Sequence, residues 1–247
     1  MGEKIRLQVF LSRNGVCSRR AAMDMVKDGY VEVNGIVENE PSFPVDPDRD
    51  RIAVDGKIVE TQKLEYVMLH KPRGYVTTKA QHGGQKNIYK ILSEEYKNLL
   101  PVGRLDKDTE GLLLLTNDGD LSFALTHPKH IVDKTYFVIV KGDVKPQALD
   151  KLKRGLVIEG GKTAPSKIKE VRFKGKDTSL KITIHEGKKR QIRLMFDAVG
   201  HRVKYLKRLT QGPIGLGTLA LGKTRHLDEK ETKALMKIKH TVIKNKK

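Results

Sequence analysis

The sequence predicts an α+β protein in two parts. A small two-helix-plus-strands domain is expected over residues 4–60, and a mixed, largely antiparallel sheet flanked by helices over residues 64–235. Three observations carry this. Two segments with helical apolar spacing are followed by two Asn-Gly or Asp-Gly hairpin signals before residue 60. Farther along, strand-like segments succeed one another without intervening helices, which favours antiparallel pairing over a doubly wound parallel sheet. Finally, Leu112–Thr116 is a continuous apolar run ended by the Asn117-Asp118-Gly119 turn, as in a strand buried on both faces.

Taken in order, Ile5, Val9 and Phe10 recur at helical spacing, and Asn14-Gly15 stops that helix. Ser18 caps a second helix running through Lys27, with Ala22, Met25 and Val26 inward, and Asp28-Gly29 ends it. Tyr30 to Val37 is a hairpin, because Asn34-Gly35 accepts the positive φ of a type I′ turn, and Arg51 to Val59 repeats the pattern around Asp55-Gly56. So small a unit suits binding more than catalysis.

After a polar joint at Glu60–Lys63, strands are expected at Glu65–His70, Tyr75–Thr78, Leu112–Thr116, Lys134–Val140, Leu156–Ile158, Lys167–Phe173 and Leu180–His185. Helices are expected at Ile88–Lys97, Asp120–Thr126, Pro146–Arg154 and Arg190–Val199. Residues 236–247 read as a basic tail that frays without a partner.

The formal net charge is +19. Self-repulsion of that size points to a polyanionic partner, and its spread over Arg13–Arg20, Lys188–Arg193, Lys204–Arg208 and Lys237–Lys247 suits a broad contact with folded RNA. No segment joins this charge to a strongly apolar face, no run is long enough for a membrane span, and Met1–Phe10 carries no signal-peptide core. One cysteine, Cys17, excludes an internal disulfide and fits a reducing cytoplasm.

The chemistry concentrates in Gly103–Asp120, where polar residues crowd the mouth of the buried strand. Asp106 and Asp108 invite comparison with glycoside hydrolases, but those place two carboxyls about 5–9.5 Å apart across a sugar, usually from separate elements. On residue type alone, Asp106 capping a turn is the commoner role. Lys71-Pro72-Arg73-Gly74 sets two cations on a rigid turn, equally suited to phosphate contact or to solvent. Arg13, Arg19 and Arg20 gather at the turn between the first two helices, where guanidinium forks match phosphate oxygens. Gly217 to Thr224 fits the phosphate-loop pattern, yet a Gly- and Pro-broken stretch precedes it and its middle reads as a strand, so it is rejected. The histidines form no metal set: His127 and His130 flank Pro128 with no cysteine pair.

Two resemblances sharpen this reading. SRNGVCSRRAAMDMVKDGYVEVNGIV resembles the RNA-binding domain named after ribosomal protein S-four. GRLDKDTEGLLLLTNDG resembles the central motif of the Rsu/Rlu pseudouridine synthases, and LHKPRGYVTT, KTYFVIVKG and EGKKRQIRLMFDAVGHRV agree in order and spacing. The resemblance implies that the chain isomerises a uridine in ribosomal RNA, large subunit in preference to small, without metal or cofactor. It implies Asp106 as catalytic carboxylate, Tyr136 as the residue stacking on the target base, and Arg193 as the cation paired with Asp106. Leu194 stands where many relatives carry a second arginine. Arg13, Arg19, Arg20, Lys71, Arg73, Arg104, Lys188, Lys189 and Arg190 are the expected RNA contacts, with Arg104 helping to open the target. A ribosomal subunit or assembly intermediate is the expected partner of a cytoplasmic monomer that binds no membrane. The alternative is a non-catalytic ribosome-binding or assembly protein using the same basic surface.

Overall fold

The computed structural model describes residues 4–79 and 84–244, which divide into two compact units. One runs to Glu65 and takes in Asn117–Gly119; the other holds Tyr66–Thr116 and the chain from Asp120 onward.

In the smaller unit, β1 (Ile5–Arg6) leads into α1 (Leu7–Arg13) and α2 (Arg19–Lys27). The strands β2 (Val31–Val33), β3 (Ile36–Val37), β4 (Pro44–Val45), β5 (Ile52–Val54) and β6 (Lys57–Ile58) follow. β1 pairs with β4, and the others form an antiparallel sheet in the order β3-β2-β5-β6. Both hairpins turn on residues of positive φ, Asn34 and Gly35 in one, Asp55 and Gly56 in the other. The Ser18 hydroxyl accepts from Ala21 N, as an N-cap should. Asn14 ends α1, donating to Phe10 O at 2.9 Å, and its other amide atom accepts from Gln62 N at 2.8 Å. The residue that stops the helix thus also holds the chain leaving the unit. Leu7, Phe10, Leu11, Ala22, Val26, Val31 and Ile52 form the core, while Val9, expected inward, is only half-buried.

The larger unit contains β7 (Tyr66–Lys71), β8 (Leu100–Pro101), β9 (Glu110–Thr116), α3 (Gly119–Thr126), β10 (Lys134–Lys141), α4 (Pro146–Arg154), β11 (Val157–Ile158) and β12 (Gly161–Lys162). It continues with β13 (Lys167–Lys174), β14 (Asp177–Ile184), α5 (Gln191–Asp197), β15 (Val203–Gln211), β16 (Ile214–Gly215), β17 (Thr224–His226) and α6 (Glu229–Lys244). The main sheet runs β13-β14-β10-β15-β9-β7-β17, with β16 added to β15 and β8 to β9. Its pairs are antiparallel except β15 with β9.

That exception positions everything that follows. β9 and β15 touch at only two register pairs, Glu110 with Lys207 and Gly111 with Arg208. Gly111 has φ +118°, and a Cβ there would lie 2.3 Å from Arg208 O and 2.5 Å from Arg208 N, so only glycine admits this approach. Beyond Gly111 the strands part. The exposed edge of β9 is taken instead by the Arg208 side chain at Leu112 O, by Val102 N at Leu114 O, and by β8.

Several expectations need correction. Tyr75–Thr78 is no strand; only Val76 bridges, to Asn87. Ile88–Lys97 is not one helix but two single 3₁₀ turns, Ile88–Lys90 and Glu94–Tyr96, interrupted at Ser93, which is extended. Ile88, Leu92, Tyr96 and Leu99 still face the core, so their spacing misled. β15 escaped notice because its buried positions, Val203, Leu206, Arg208 and Gln211, follow no strict alternation, and the ladder to β10 is bulged twice. The stretch between Gly217 and Lys223 is turn and irregular chain, not strand, and Thr224 opens β17 rather than a helix.

The expected basic tail is helical through Lys244, with residues 245–247 outside the described residues. Asp228 and Glu231 form a reciprocal capping box that starts α6, and Leu235 buries against the cluster of Met68, Val132 and Ile214.

Candidate active site

The loop from Val102 to Thr109, between β8 and β9, is pinned through its backbone. Each of the five successive carbonyls from Leu105 to Thr109 accepts a hydrogen bond. Thr77 Oγ1 donates to Leu105 O at 2.8 Å, and Gly74 N to Lys107 O at 2.7 Å. Arg193 Nη2 reaches Asp108 O at 3.0 Å. The Lys71 ammonium spans the loop, donating to Asp106 O at 3.2 Å, Thr109 O at 2.9 Å and Pro72 O at 3.0 Å. A loop so held presents its side chains on a rigid support. Among the described residues the Asp106 carboxylate itself accepts no hydrogen bond.

Asp106 borders a cleft of about 480 Å³. Arg104, Leu105, Tyr136, Lys188, Lys189, Arg190 and Leu206 line it too, so six of the residues singled out from sequence converge there. Tyr136 comes from β10, between Ile182 of β14 and Arg208 of β15, and is almost wholly buried. The cationic wall comes from the segment entering α5. Gln191 shapes it, donating to Glu186 at 2.5 Å and accepting from Lys188 N at 3.0 Å.

Two residues behave differently from expectation. Lys71 is fully buried, and all three of its protons go to backbone carbonyls, so here it ties the loop and does not reach a phosphate. Burial pushes its ammonium down to about 8, against the pull of Asp106 and Asp108. Arg193, from α5, is also buried and forms no ion pair with Asp106 among the described residues. It bonds the carbonyls of Asp108 and Val203 from behind the loop. Burial lowers its guanidinium from the usual range, with Arg190 adding to the effect while Asp108 and Asp106 oppose it through space.

Arg73 is exposed and does not line the cleft. In the smaller unit, Arg19 and Arg20 are exposed in the first turn of α2, and Arg13 is half-buried in the last turn of α1.

Lys134, Arg208 and Gln211 are among the further polar residues lining the cleft that the sequence did not single out. Burial, reinforced by Arg208 and opposed by Asp133, pushes the Lys134 ammonium to about 8. Arg208 was visible only as part of a basic segment, because the bulge that turns it inward leaves no mark in the residue pattern.

A mixed sheet split beside a pinned carboxylate loop, with a cationic cleft over the split, defines the class, and comparison with known proteins gives the family. Residues 65–198 match the family model described as RNA pseudouridylate synthase, and residues 5–50 match the S4 domain. The chain belongs to the RNA pseudouridylate synthase family, with an RNA-binding S4 domain in its N-terminal part. It is 44% identical, over 93% of its length and 95% of the relative's, to the ribosomal large subunit pseudouridine synthase B of Bacillus subtilis. An uncharacterized RNA pseudouridine synthase of Aquifex aeolicus is 42% identical over 95% of this chain and 94% of its own. A crystal structure of a pseudouridylate synthase superposes with a TM-score of 0.66 at 30% identity, covering 94% of this chain and 99% of that one. The non-catalytic alternative falls with these findings. No helix among the described residues is long and apolar enough to cross a membrane.

Proposed function

We propose that this enzyme converts a specific uridine of large-subunit ribosomal RNA to pseudouridine, with Asp106 as the reacting carboxylate. The observation that carries the reading is Asp106 itself: its carboxylate accepts no hydrogen bond among the described residues, on a loop whose carbonyls from Leu105 to Thr109 are all tied, at a cationic cleft that also holds Tyr136. The large subunit is favoured by the name of the Bacillus subtilis relative.

Pseudouridylation breaks the bond between C1′ and N1 of the base, turns the uracil, and rejoins it through C5. The reaction is redox-neutral and requires a carboxylate, a place for the detached base and little water. The uridine must first leave its stack, at a cost of about a few kcal/mol, and Tyr136 offers a flat apolar surface to receive it. Asp106 either attacks C1′ or removes the 2′ proton to give a glycal. Arg193 acts on Asp106 through the loop it braces and through its charge. Arg104, Lys188, Lys189 and Arg190 surround the flipped nucleotide, and Arg73 contacts RNA outside the cleft.

Residues 4–60, with Arg13, Arg19 and Arg20, form the RNA-docking domain, and residues 64–235 the catalytic one. The enzyme works in the cytoplasm as a monomer on a ribosomal subunit or assembly intermediate.

Asp106→Asn tests the assignment. RNA binding stays within a few-fold while pseudouridine formation is abolished; product at the normal rate removes Asp106 from the mechanism. Mapping pseudouridines in ribosomal RNA with and without the protein identifies the target, and an unchanged large-subunit map refutes that substrate.

A further inference from the structure

Arg208 sits in the floor of the cleft, 2% exposed, directly across the β10–β15 ladder from Tyr136. Its Nε donates to Leu112 O at 2.7 Å, and its Nη2 is buried with no partner among the described residues. No carboxylate pairs with it there. A guanidinium carries five donors, and the two on this buried nitrogen are unspent, a cost that the one carbonyl bond does not offset. Filling the gap between β9 and β15 does not require a charge; an uncharged donor would serve Leu112 O.

A second observation points the same way. Gln211, three residues on along β15 and fully buried, lines the same cleft with both amide atoms unpartnered. Buried polar atoms without partners are uncommon, and two such side chains at one cleft mark a floor completed by a polar ligand.

We propose that Arg208 is a catalytic residue that donates to the carbonyl edge of the target uracil and stabilises the negative charge of the base once it has left the sugar. The inference rests on the uridine-isomerising role of the cleft and deepens it.

The charge balance requires such a group on either route open to Asp106. When the C1′–N1 bond breaks, its electron pair stays on N1 and is delocalised onto O2 and O4. If Asp106 attacks, its carboxylate is neutralised by the new bond to C1′. If it takes the 2′ proton, it is neutralised by that proton as the C1′–C2′ double bond forms. In both cases one negative charge passes from Asp106 to the base. C5 then bonds to C1′, expelling the carboxylate or, on the glycal route, with Asp106 returning its proton to C2′. The C5 proton leaves, N1 gains one, and the composition is unchanged. A guanidinium only donates, so it favours the O4 of uracil over the amino group of cytosine at the same place. Fixed donors aimed at developing charge typically contribute about 10²–10³-fold in rate.

The test is single-turnover cleavage of the C1′–N1 bond in a ribosomal RNA fragment whose converted uridine has been mapped, transcribed with either uridine or 5-fluorouridine. Fluorine at C5 stabilises the departing anion, so the base needs less help from the protein. Arg208→Gln should lose about 10²–10³-fold on uridine and clearly less on 5-fluorouridine, with RNA affinity nearly unchanged. Arg208→Lys should recover part of the uridine rate. Equal losses on the two substrates, or a uridine rate within threefold of wild type, overturn the proposal. Should Arg208→Gln fail to fold, the same comparison on Arg208→Lys decides, equal losses again refuting it. A wild-type enzyme that forms no pseudouridine overturns both this inference and the function it rests on; an active one with equal losses overturns this inference alone.

Discussion

Replacing Gly111 with alanine puts the split of the sheet under direct test. The residue holds φ +118°, and the new Cβ would meet Arg208 O at 2.3 Å, Arg208 N at 2.5 Å and Arg208 C at 2.9 Å. All three are backbone atoms of the neighbouring strand, so no side chain can swing away to make room. Holding an L-residue in such a conformation costs about 1–3 kcal/mol. Relieving the overlap pulls apart the two register pairs that join β9 to β15, each hydrogen bond being worth about 0.5–1.5 kcal/mol. Together these give a loss of about 2–6 kcal/mol. At about 2–4 °C per kcal/mol for a chain of this size, the melting temperature should fall by about 4–24 °C. Gly175→Ala is the control: φ is +63° at a hairpin tip, and a Cβ there meets nothing within 4 Å. It should cost only about 1–2 kcal/mol. Thermal melting followed by circular dichroism reads both variants. A Gly111→Ala protein that melts no lower than Gly175→Ala would show that the close approach is not what glycine is needed for.

Other consequences can be measured alongside. Lys71→Met leaves the buried Thr109 carbonyl without its donor, so turnover should drop by about 10²-fold through loss of loop geometry while RNA affinity stays within threefold. A large affinity loss would restore Lys71 as a phosphate contact. Because burial holds Lys71 near 8 against 10.5 in the unfolded chain, the unfolded state binds more protons between those values. The penalty is fully present below pH 8 and is released as pH rises to 10.5. The stability advantage of wild type over Lys71→Met should therefore grow from pH 8 to 10, and a constant gap refutes the shift. Lys134 contributes a trend of the same sign in both proteins. Arg193→Met removes the brace on Asp108 O, so turnover should fall more than RNA affinity; equal falls demote it to an RNA ligand. Arg19→Ala and Arg20→Ala should each flatten the slope of log affinity against log salt by about 0.7–0.9 and leave turnover at saturating RNA unchanged. An unchanged slope removes those guanidiniums from the RNA contact.

How much of this could be read from residues alone depended on whether the signal was local. The S4 module was legible almost throughout, because Ser18, Asn34-Gly35 and Asp55-Gly56 are caps and turns whose chemistry is complete within a few residues. The loop carrying Asp106 was legible as a motif. Lys71 was misjudged as a surface cation because nothing local reveals that the carbonyls of Asp106 and Thr109, more than thirty residues away, close around its ammonium. The helix α6 was taken for a loose tail although Asp228 and Glu231 spell a capping box, and net charge outweighed that signal. The phosphate-loop match at Gly217 fails for a different reason than the expected strand in its middle: that stretch is turn and irregular chain, and Thr224 begins a strand where a helix would be needed.

By itself the sequence determined the class of fold, the basic partner-seeking surface, the family motifs and Asp106 as the carboxylate to watch. These follow from periodicity, turn chemistry and charge, which are properties of short stretches. Only the tertiary structure decided where β9 and β15 part, why Gly111 alone permits their contact, that Lys71 and Arg193 brace the loop from behind, and that Arg208 and Gln211 face the cleft. Those facts arise from contacts between segments distant in the chain, 35 residues apart for Lys71 and Asp106, 85 for Arg193 and Asp108 and 96 for Arg208 and Leu112, which no short stretch records.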